Sequence, residues 1–96
     1  MENAEIARIF YDIAEILTRR KDNIFKIRAY RKVARSIEEL PVPVSRLAAE
    51  GRLREIPGAG EAITGKISEL LTTGKLAYYE RLHEEAGEER VGPEKR

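Results

Sequence analysis

The sequence contains no cysteine, no tryptophan and only one histidine. Without cysteine it has no disulfide, thiolate zinc site or thiol nucleophile, and one imidazole is too few for an all-histidine metal site. A length of 96 residues accommodates one small domain but not a second domain with its own cofactor cleft. We therefore expect a single domain that requires no cofactor.

Long apolar runs are also missing from the sequence. No segment approaches the roughly 18 consecutive apolar residues of a membrane-spanning helix. The acidic, amphipathic N-terminus differs from a secretory signal, which begins with basic residues and continues with an apolar stretch. We expect a cytoplasmic protein without a membrane partner, associated with the nucleoid if the organism is prokaryotic.

Charge is balanced in total but uneven along the chain. Eighteen basic and seventeen acidic residues give a net charge of +1. Residues 19–35 contain eight basic residues and one acid, so this segment carries +7 and the remainder carries −6. Such a basic block on an acidic body is suited to a polyanion, most commonly phosphate, although a solvated helix face is the alternative interpretation.

Apolar periodicity predicts an all-α fold of four to five helices with no strand. Asn3 is the expected N-cap of the first helix, and Gly74 is the expected end of the fourth. We expect a helical domain over residues 1–86 and a polar, flexible tail over residues 87–96. The predicted helices are Ala4 to Arg19, Asp22 or Asn23 to Leu40, Val44 to Glu50, one turn at Arg52 to Ile56, Gly60 or Glu61 to Gly74, and Leu76 to about Glu85.

The second predicted helix separates charge from apolar residues. At roughly 100° per residue, four cations share one arc opposite the apolar side: Arg28, Arg31, Lys32 and Arg35. Lys26 falls on the apolar side together with Tyr30. It either extends from the helix end to solvent or joins Tyr30 at the rim of a cleft, where the two hold one phosphate. We expect Phe10 and Phe25 to lie in the core.

The most specific motif is the glycine pair Gly58 and Gly60, which flanks Ala59 just before the fourth helix. Glycine allows a tight turn that presents backbone N–H groups to an anion at a helix N-terminus. The segment lacks the Lys-Ser/Thr ending of a Walker A loop, and no strand precedes it as in a dinucleotide-binding fold. A simple connection between two helices is the alternative.

Three segments resemble the N-terminal, lyase-type domain of family X DNA polymerases, which is DNA polymerase beta-like and contains a helix-hairpin-helix motif. They are 25–34, 56–67 and 73–76, with the motif itself at about 52–73. The resemblance covers about residues 4–83 and implies a SAM-like helical domain. It also implies binding to gapped DNA with a 5′-phosphate and, in some members, removal of 5′-deoxyribose phosphate during base excision repair.

The resemblance also implies roles for individual residues. Lys66 corresponds to the lysine that forms a Schiff base with the sugar aldehyde. Lys26 and Tyr30 correspond to a 5′-phosphate site, and Lys75 lies in the third matching segment as a further phosphate contact. A K⁺ or Na⁺ ion is implied at the hairpin; its ligands are the backbone carbonyls of Arg54, Ile56 and Ala59. Ala62 and Tyr78 replace basic residues of the family, which weakens the expectation of lyase activity.

Three functions remain open from the sequence. The first is DNA binding through backbone phosphates without sequence specificity, and the second is a lyase reaction at Lys66. The third is protein interaction through the acidic face without DNA binding. We expect a monomer that works with other repair proteins. No polymerase activity is expected from 96 residues, which form either a stand-alone relative or part of a longer enzyme.

Overall fold

The computed structural model describes the backbone of residues 1–94 and the side chains of residues 1–87, and this described part forms five α-helices, one 3₁₀ turn and no strand. The predicted all-α fold is therefore confirmed. The elements are α1 Asn3–Arg19, α2 Ile24–Glu38, α3 Val44–Ala49, the 3₁₀ turn Leu53–Glu55, α4 Glu61–Thr73 and α5 Ala77–Glu94. No helix in this described part is long and apolar enough to cross a membrane.

The first helix begins one residue earlier than the sequence predicts. Glu2 is the N-cap of α1, and its N–H donates to Oε1 of Glu5 at 2.7 Å. Asn3, the predicted cap, instead ties α1 to the segment before α3. Its Nδ2 donates to the carbonyl of Val42 at 2.9 Å, and its Oδ1 accepts from the N–H of Val44 at 2.8 Å. The Asn3 side chain therefore makes a long-range contact, while Glu2 and Glu5 cap the helix.

The start of α2 follows the capping prediction. Oδ1 of Asn23 accepts hydrogen bonds from the N–H groups of Phe25 at 2.7 Å and Lys26 at 3.3 Å. These two bonds satisfy donors that have no acceptor within the helix. The short link between α1 and α2 places the basic helix directly against the first helix.

The last helix is longer than predicted. Gly74, at φ +77°, ends α4, and α5 then runs from Ala77 to Glu94 rather than ending near Glu85. Residues 84–90 contain four glutamates, one alanine and one arginine, whose high helix propensity continues a helix without an apolar face. The predicted polar tail is thus helical as far as Glu94, and its last two residues lie outside the described part.

The core is one cluster formed mainly by the apolar faces of α1 and α2, to which the other elements add side chains. Phe10 is fully buried and stacks on Tyr30, with ring centroids 5.9 Å apart. Phe25, also predicted to be buried, is instead 74% exposed. It precedes Ile27 by two residues, roughly 200° around the helix, and so lies on the outer face of α2.

Candidate nucleic-acid interface

The hairpin between the 3₁₀ turn and α4 leaves several backbone donors free. Gly58 adopts φ +90°, and the N–H of Ala59 donates to the carbonyl of Ile56 at 2.9 Å. Gly60 is the N-cap of α4 and has no side chain to receive the amides of the first helical turn. Among the predicted hairpin donors, Ala59 therefore closes the turn, whereas the N–H groups around Gly60 remain available to an anion.

The hairpin lies against the basic helix. A methyl group in place of the Gly58 hydrogen would lie 3.1 Å from Cγ of Lys32 and 3.5 Å from the backbone nitrogen of Val33. This close approach, together with φ +90°, explains why glycine is required at position 58. The free amides at the start of α4 and the cations of α2 therefore belong to one surface.

The predicted basic stripe is exposed along α2. It consists of Arg28, Arg31, Lys32 and Arg35. Three of these, Arg31, Lys32 and Arg35, line a groove together with Tyr11 and Ser36. Among the described side chains of residues 1–87 the stripe forms no ion pair, and Arg31 Nη2 donates to the neutral Thr18 hydroxyl at 3.2 Å. The charge of the stripe is consequently available to a partner.

Tyr11, which lines this groove, forms a hydrogen bond with a glutamate. The Tyr11 hydroxyl donates to Oε1 of Glu38 at 3.0 Å. This hydrogen bond raises the pKa of the Tyr11 phenol above its ordinary value, so the groove gains no negative charge from this ring near neutral pH.

Lys26 and Tyr30 differ in their exposure. Lys26 is exposed, and its amine lies 3.8 Å from Oδ1 of Asp22, in agreement with the interpretation in which it extends to solvent. Tyr30 is buried, with its ring between those of Phe10 and Tyr78. Burial raises the pKa of the Tyr30 phenol well above its ordinary value. Tyr30 therefore stays protonated and remains a hydrogen-bond donor.

Lys66 lies on α4, half-buried, beside α5. Its Nζ is 4.9 Å from the centroid of the Tyr78 ring, and Cζ of Arg81 is 5.9 Å from the same centroid. Within the described chain neither cation has a carboxylate oxygen within ion-pair distance. Lys66 thus lies in a small aromatic and cationic cluster rather than in open solvent.

The other predicted site residues are not all brought to the hairpin. Lys75 follows the C-terminal end of α4, and the 13 residues of that helix place it roughly 20 Å from the hairpin amides. The predicted cation ligands Arg54, Ile56 and Ala59 lie in and around the turn, and the Ile56 carbonyl already accepts one hydrogen bond. A carbonyl oxygen with one hydrogen bond retains a second lone pair.

Sequence reasoning missed Arg81 and the groove residues Tyr11 and Ser36. Arg81 follows Tyr78 by three residues on one helix, a spacing that places both on the same face. That spacing was the available signal. The groove required knowledge of how α1 packs on α2, which the sequence alone does not supply.

A short glycine hairpin that joins two helices and presents amides beside cations defines a class of phosphate-binding helical domains. The family model for the helix-hairpin-helix domain matches residues 1–76. The chain therefore belongs to the helix-hairpin-helix domain family. Domains of this family generally bind DNA without sequence specificity.

Proposed function

We propose that this protein binds the sugar–phosphate backbone of DNA, with the hairpin on one phosphate and the α2 stripe on its neighbours. The observation that carries the proposal is the contact between Gly58 and Lys32, which joins free amides and unpaired cations in one surface. Amides and basic side chains bind phosphates without identifying bases. The proposed binding is therefore independent of sequence.

The preferred DNA is proposed to be gapped and to carry a 5′-phosphate, as in DNA repair together with other repair proteins. Support comes from the resemblance to family X polymerase N-terminal domains at Lys26, Tyr30 and Lys66. Of the two side chains that the resemblance assigns to a 5′-phosphate, Lys26 is exposed and Tyr30 is buried, so Lys26 is the accessible one. A K⁺ or Na⁺ ion at the hairpin carbonyls would bridge to a phosphate and is part of the same proposal.

Capping the hairpin tests the proposed amide site. Gly60 has ordinary φ, and a side chain there meets no atom within 4 Å, so Gly60→Asn fits the free protein. The asparagine side chain would accept the first-turn N–H groups of α4 and deny them to phosphate. We expect affinity for a one-nucleotide-gapped duplex with a 5′-phosphate to fall by about tenfold or more, measured by fluorescence anisotropy.

Removing charge tests the stripe in the same assay. The double change Arg31→Gln and Lys32→Gln is expected to weaken binding by about tenfold or more. Arg46→Gln is the matched control, because Arg46 lies on α3 in a depression shared with Glu50 and Glu55. Failure of the wild-type protein to bind, or wild-type affinity in both site variants, would contradict the proposal and favour a protein partner. Equal affinity for gapped and intact duplex would contradict only the gap preference.

A second candidate is 5′-deoxyribose phosphate lyase activity. It is favoured by the half-buried Lys66 amine, which no carboxylate of the described chain neutralises. The neutral amine would condense with the sugar C1′ aldehyde and release water. Loss of a C2′ proton and cleavage of the C3′–O bond would then free the DNA end as a 5′-phosphate.

Borohydride trapping on gapped DNA with a 5′-deoxyribose phosphate tests the lyase reaction. We expect a covalent adduct for the wild-type protein and for Lys21→Gln, a lysine control outside the site, and none for Lys66→Ala. Adduct formation by Lys66→Ala would assign the nucleophile elsewhere. No adduct from a wild-type protein that binds the DNA would leave a binding module without the chemistry.

A further inference from the structure

The groove between α1 and α2 combines an aromatic ring with cations. Tyr11 of α1 lines it together with Arg31, Lys32 and Arg35 of α2, and Ser36 adds a hydroxyl. The groove has a volume of about 470 Å³, which is within the range of sites that hold a small organic ligand. The α2 stripe therefore borders a space large enough for more than a phosphate.

The ring of Tyr11 is open to a ligand. Tyr30 and Tyr78 stack on each other. Tyr79 meets His83 edge to face, with 5.0 Å between the ring centroids. Among the described side chains, by contrast, the Tyr11 ring has neither an aromatic nor a cationic partner, and the residue is 37% exposed. A planar ligand can therefore stack on this ring.

Hydrogen bonds between the helices hold the groove in place. The Tyr11 hydroxyl donates to Oε1 of Glu38 at 3.0 Å, which joins the ring to the end of α2. Nη2 of Arg31 donates to the Thr18 hydroxyl at 3.2 Å, which joins a cation of α2 to α1. The ring and this cation are thus positioned before a ligand binds, which reduces the entropy lost on binding.

We propose that this groove binds one unpaired nucleotide of a DNA single strand, with its base stacked on Tyr11 and its phosphate on the cations of α2. The proposal rests on the proposed DNA-binding function and adds a base-contacting site to it. Because every base has an aromatic face, stacking accepts any base and the binding stays independent of sequence. The carboxylate of Glu38 repels phosphate, so it favours the base at the Tyr11 ring and the phosphate at the cations.

The groove is continuous with the proposed phosphate site at the hairpin. Lys32 lines the groove, and its Cγ lies 3.1 Å from where a Cβ atom on Gly58 would be. A strand held at the hairpin can therefore continue into the groove. Proteins that bind single strands combine such a basic groove with aromatic side chains, whereas the bases of an intact duplex are already stacked on each other.

The test compares two short single strands of equal length and charge, one of thymidine nucleotides and one of abasic nucleotides. We expect the wild-type protein to bind the thymidine strand about tenfold more tightly, measured by fluorescence anisotropy. In Tyr11→Leu this ratio should fall to nearly one, whereas Tyr11→Phe keeps the ring and should keep most of the ratio. Phe25→Leu is the matched control, because Phe25 is exposed but does not line the groove.

Photocross-linking provides a second, independent measurement. A strand that carries iodouracil should attach to Tyr11, identified by mass spectrometry of the peptides, and this adduct should be absent from Tyr11→Leu. Circular dichroism should verify that the exposed Tyr11 is replaced without loss of helix.

The outcomes separate this inference from the proposed function. A wild-type ratio of one, an unchanged ratio in Tyr11→Leu, or attachment of the iodouracil to Phe25 instead would overturn the inference while leaving DNA binding intact. Binding of the wild-type protein to gapped duplex but to neither single strand would do the same. Absence of binding to any of these DNAs would overturn the proposed function itself.

Discussion

Exposure separates the two phenylalanines of the chain. Phe10 is fully buried and stacked on Tyr30, and Phe25 is 74% exposed. We expect Phe10→Ala to lower the free energy of unfolding by about 3–5 kcal/mol, because it opens a cavity in the core. Phe25→Ala should change it by less than about 0.5 kcal/mol. Urea unfolding at neutral pH measures both, and equal losses would place Phe25 in the core after all.

Residue type alone could not have separated these two side chains. Both phenylalanines lie near apolar stretches, and only the angle of Phe25 relative to Ile27 indicates its outward direction. Asn3 is a similar case, because a good capping residue was available to a distant partner, the segment at Val42 and Val44. The prediction for Asn3 failed because a tertiary contact competed with a local preference, whereas the prediction for Phe25 failed because it did not use the helical angle.

At the scale of elements, Gly58 in the hairpin and Gly65 in α4 differ in whether the structure has room for a side chain. A methyl group at Gly65 would meet no atom within 4 Å, whereas at Gly58 it would crowd Lys32 at φ +90°. We expect Gly65→Ala to stabilise the protein by about 1 kcal/mol, since alanine is the better helix former. Gly58→Ala should destabilise it by more than about 1 kcal/mol. Thermal unfolding compares the two, and a destabilised Gly65→Ala would contradict the open space around that position.

The hydrogen bond between Tyr79 of α5 and Asp12 of α1 gives a prediction for alkaline pH. Burial and the hydrogen bond to Asp12 raise the pKa of Tyr79 to about 12. The folded protein therefore keeps a proton that the unfolded chain loses near pH 10, so this contribution to stability falls as pH rises from about 10 to 12.

Tyr79→Phe removes this hydrogen bond, and urea unfolding at pH 8 and pH 11 measures the effect on the free energy of unfolding. At pH 8 the variant should be less stable by about 1 kcal/mol, because Asp12 loses a hydrogen-bond donor. Its further loss of stability between the two pH values should be smaller than that of the wild-type protein. Equal alkaline losses in the two proteins would show that Tyr79 does not contribute to the alkaline sensitivity.

Element positions were largely predictable because their ends carry local signals. Asn23 begins α2, and glycine residues mark the start and end of α4, as predicted. The end of α5 was missed because its helix-forming residues give no apolar period to follow. The contact of Gly58 with Lys32, and the approach of Lys66 and Arg81 to the same tyrosine ring, depend on how the helices pack. Such contacts between helices cannot be predicted from any one segment of the sequence.

For the whole molecule, ion pairs decide which basic residues remain available. Three cations of the block at 19–35 lie near an acid: Arg19 is 4.0 Å from Glu15, Arg20 is 2.9 Å from Glu85, and Lys26 is 3.8 Å from Asp22. The α2 stripe pairs with no acid of the described chain. The positive field therefore concentrates beside the hairpin rather than over the entire block.

Salt dependence measures that concentrated field directly. A surface that contacts about five phosphates releases counterions on binding, so log affinity should fall linearly with log salt concentration at a slope of roughly −4 to −5. Arg35→Gln should reduce the magnitude of this slope by about one, because it removes one phosphate contact. Arg46→Gln, outside the stripe, should leave the slope unchanged. Anisotropy titrations between low and moderate salt give all three values. A steep wild-type slope that Arg35→Gln does not alter would move the phosphate path away from α2, and a slope near zero would exclude phosphate as the principal contact.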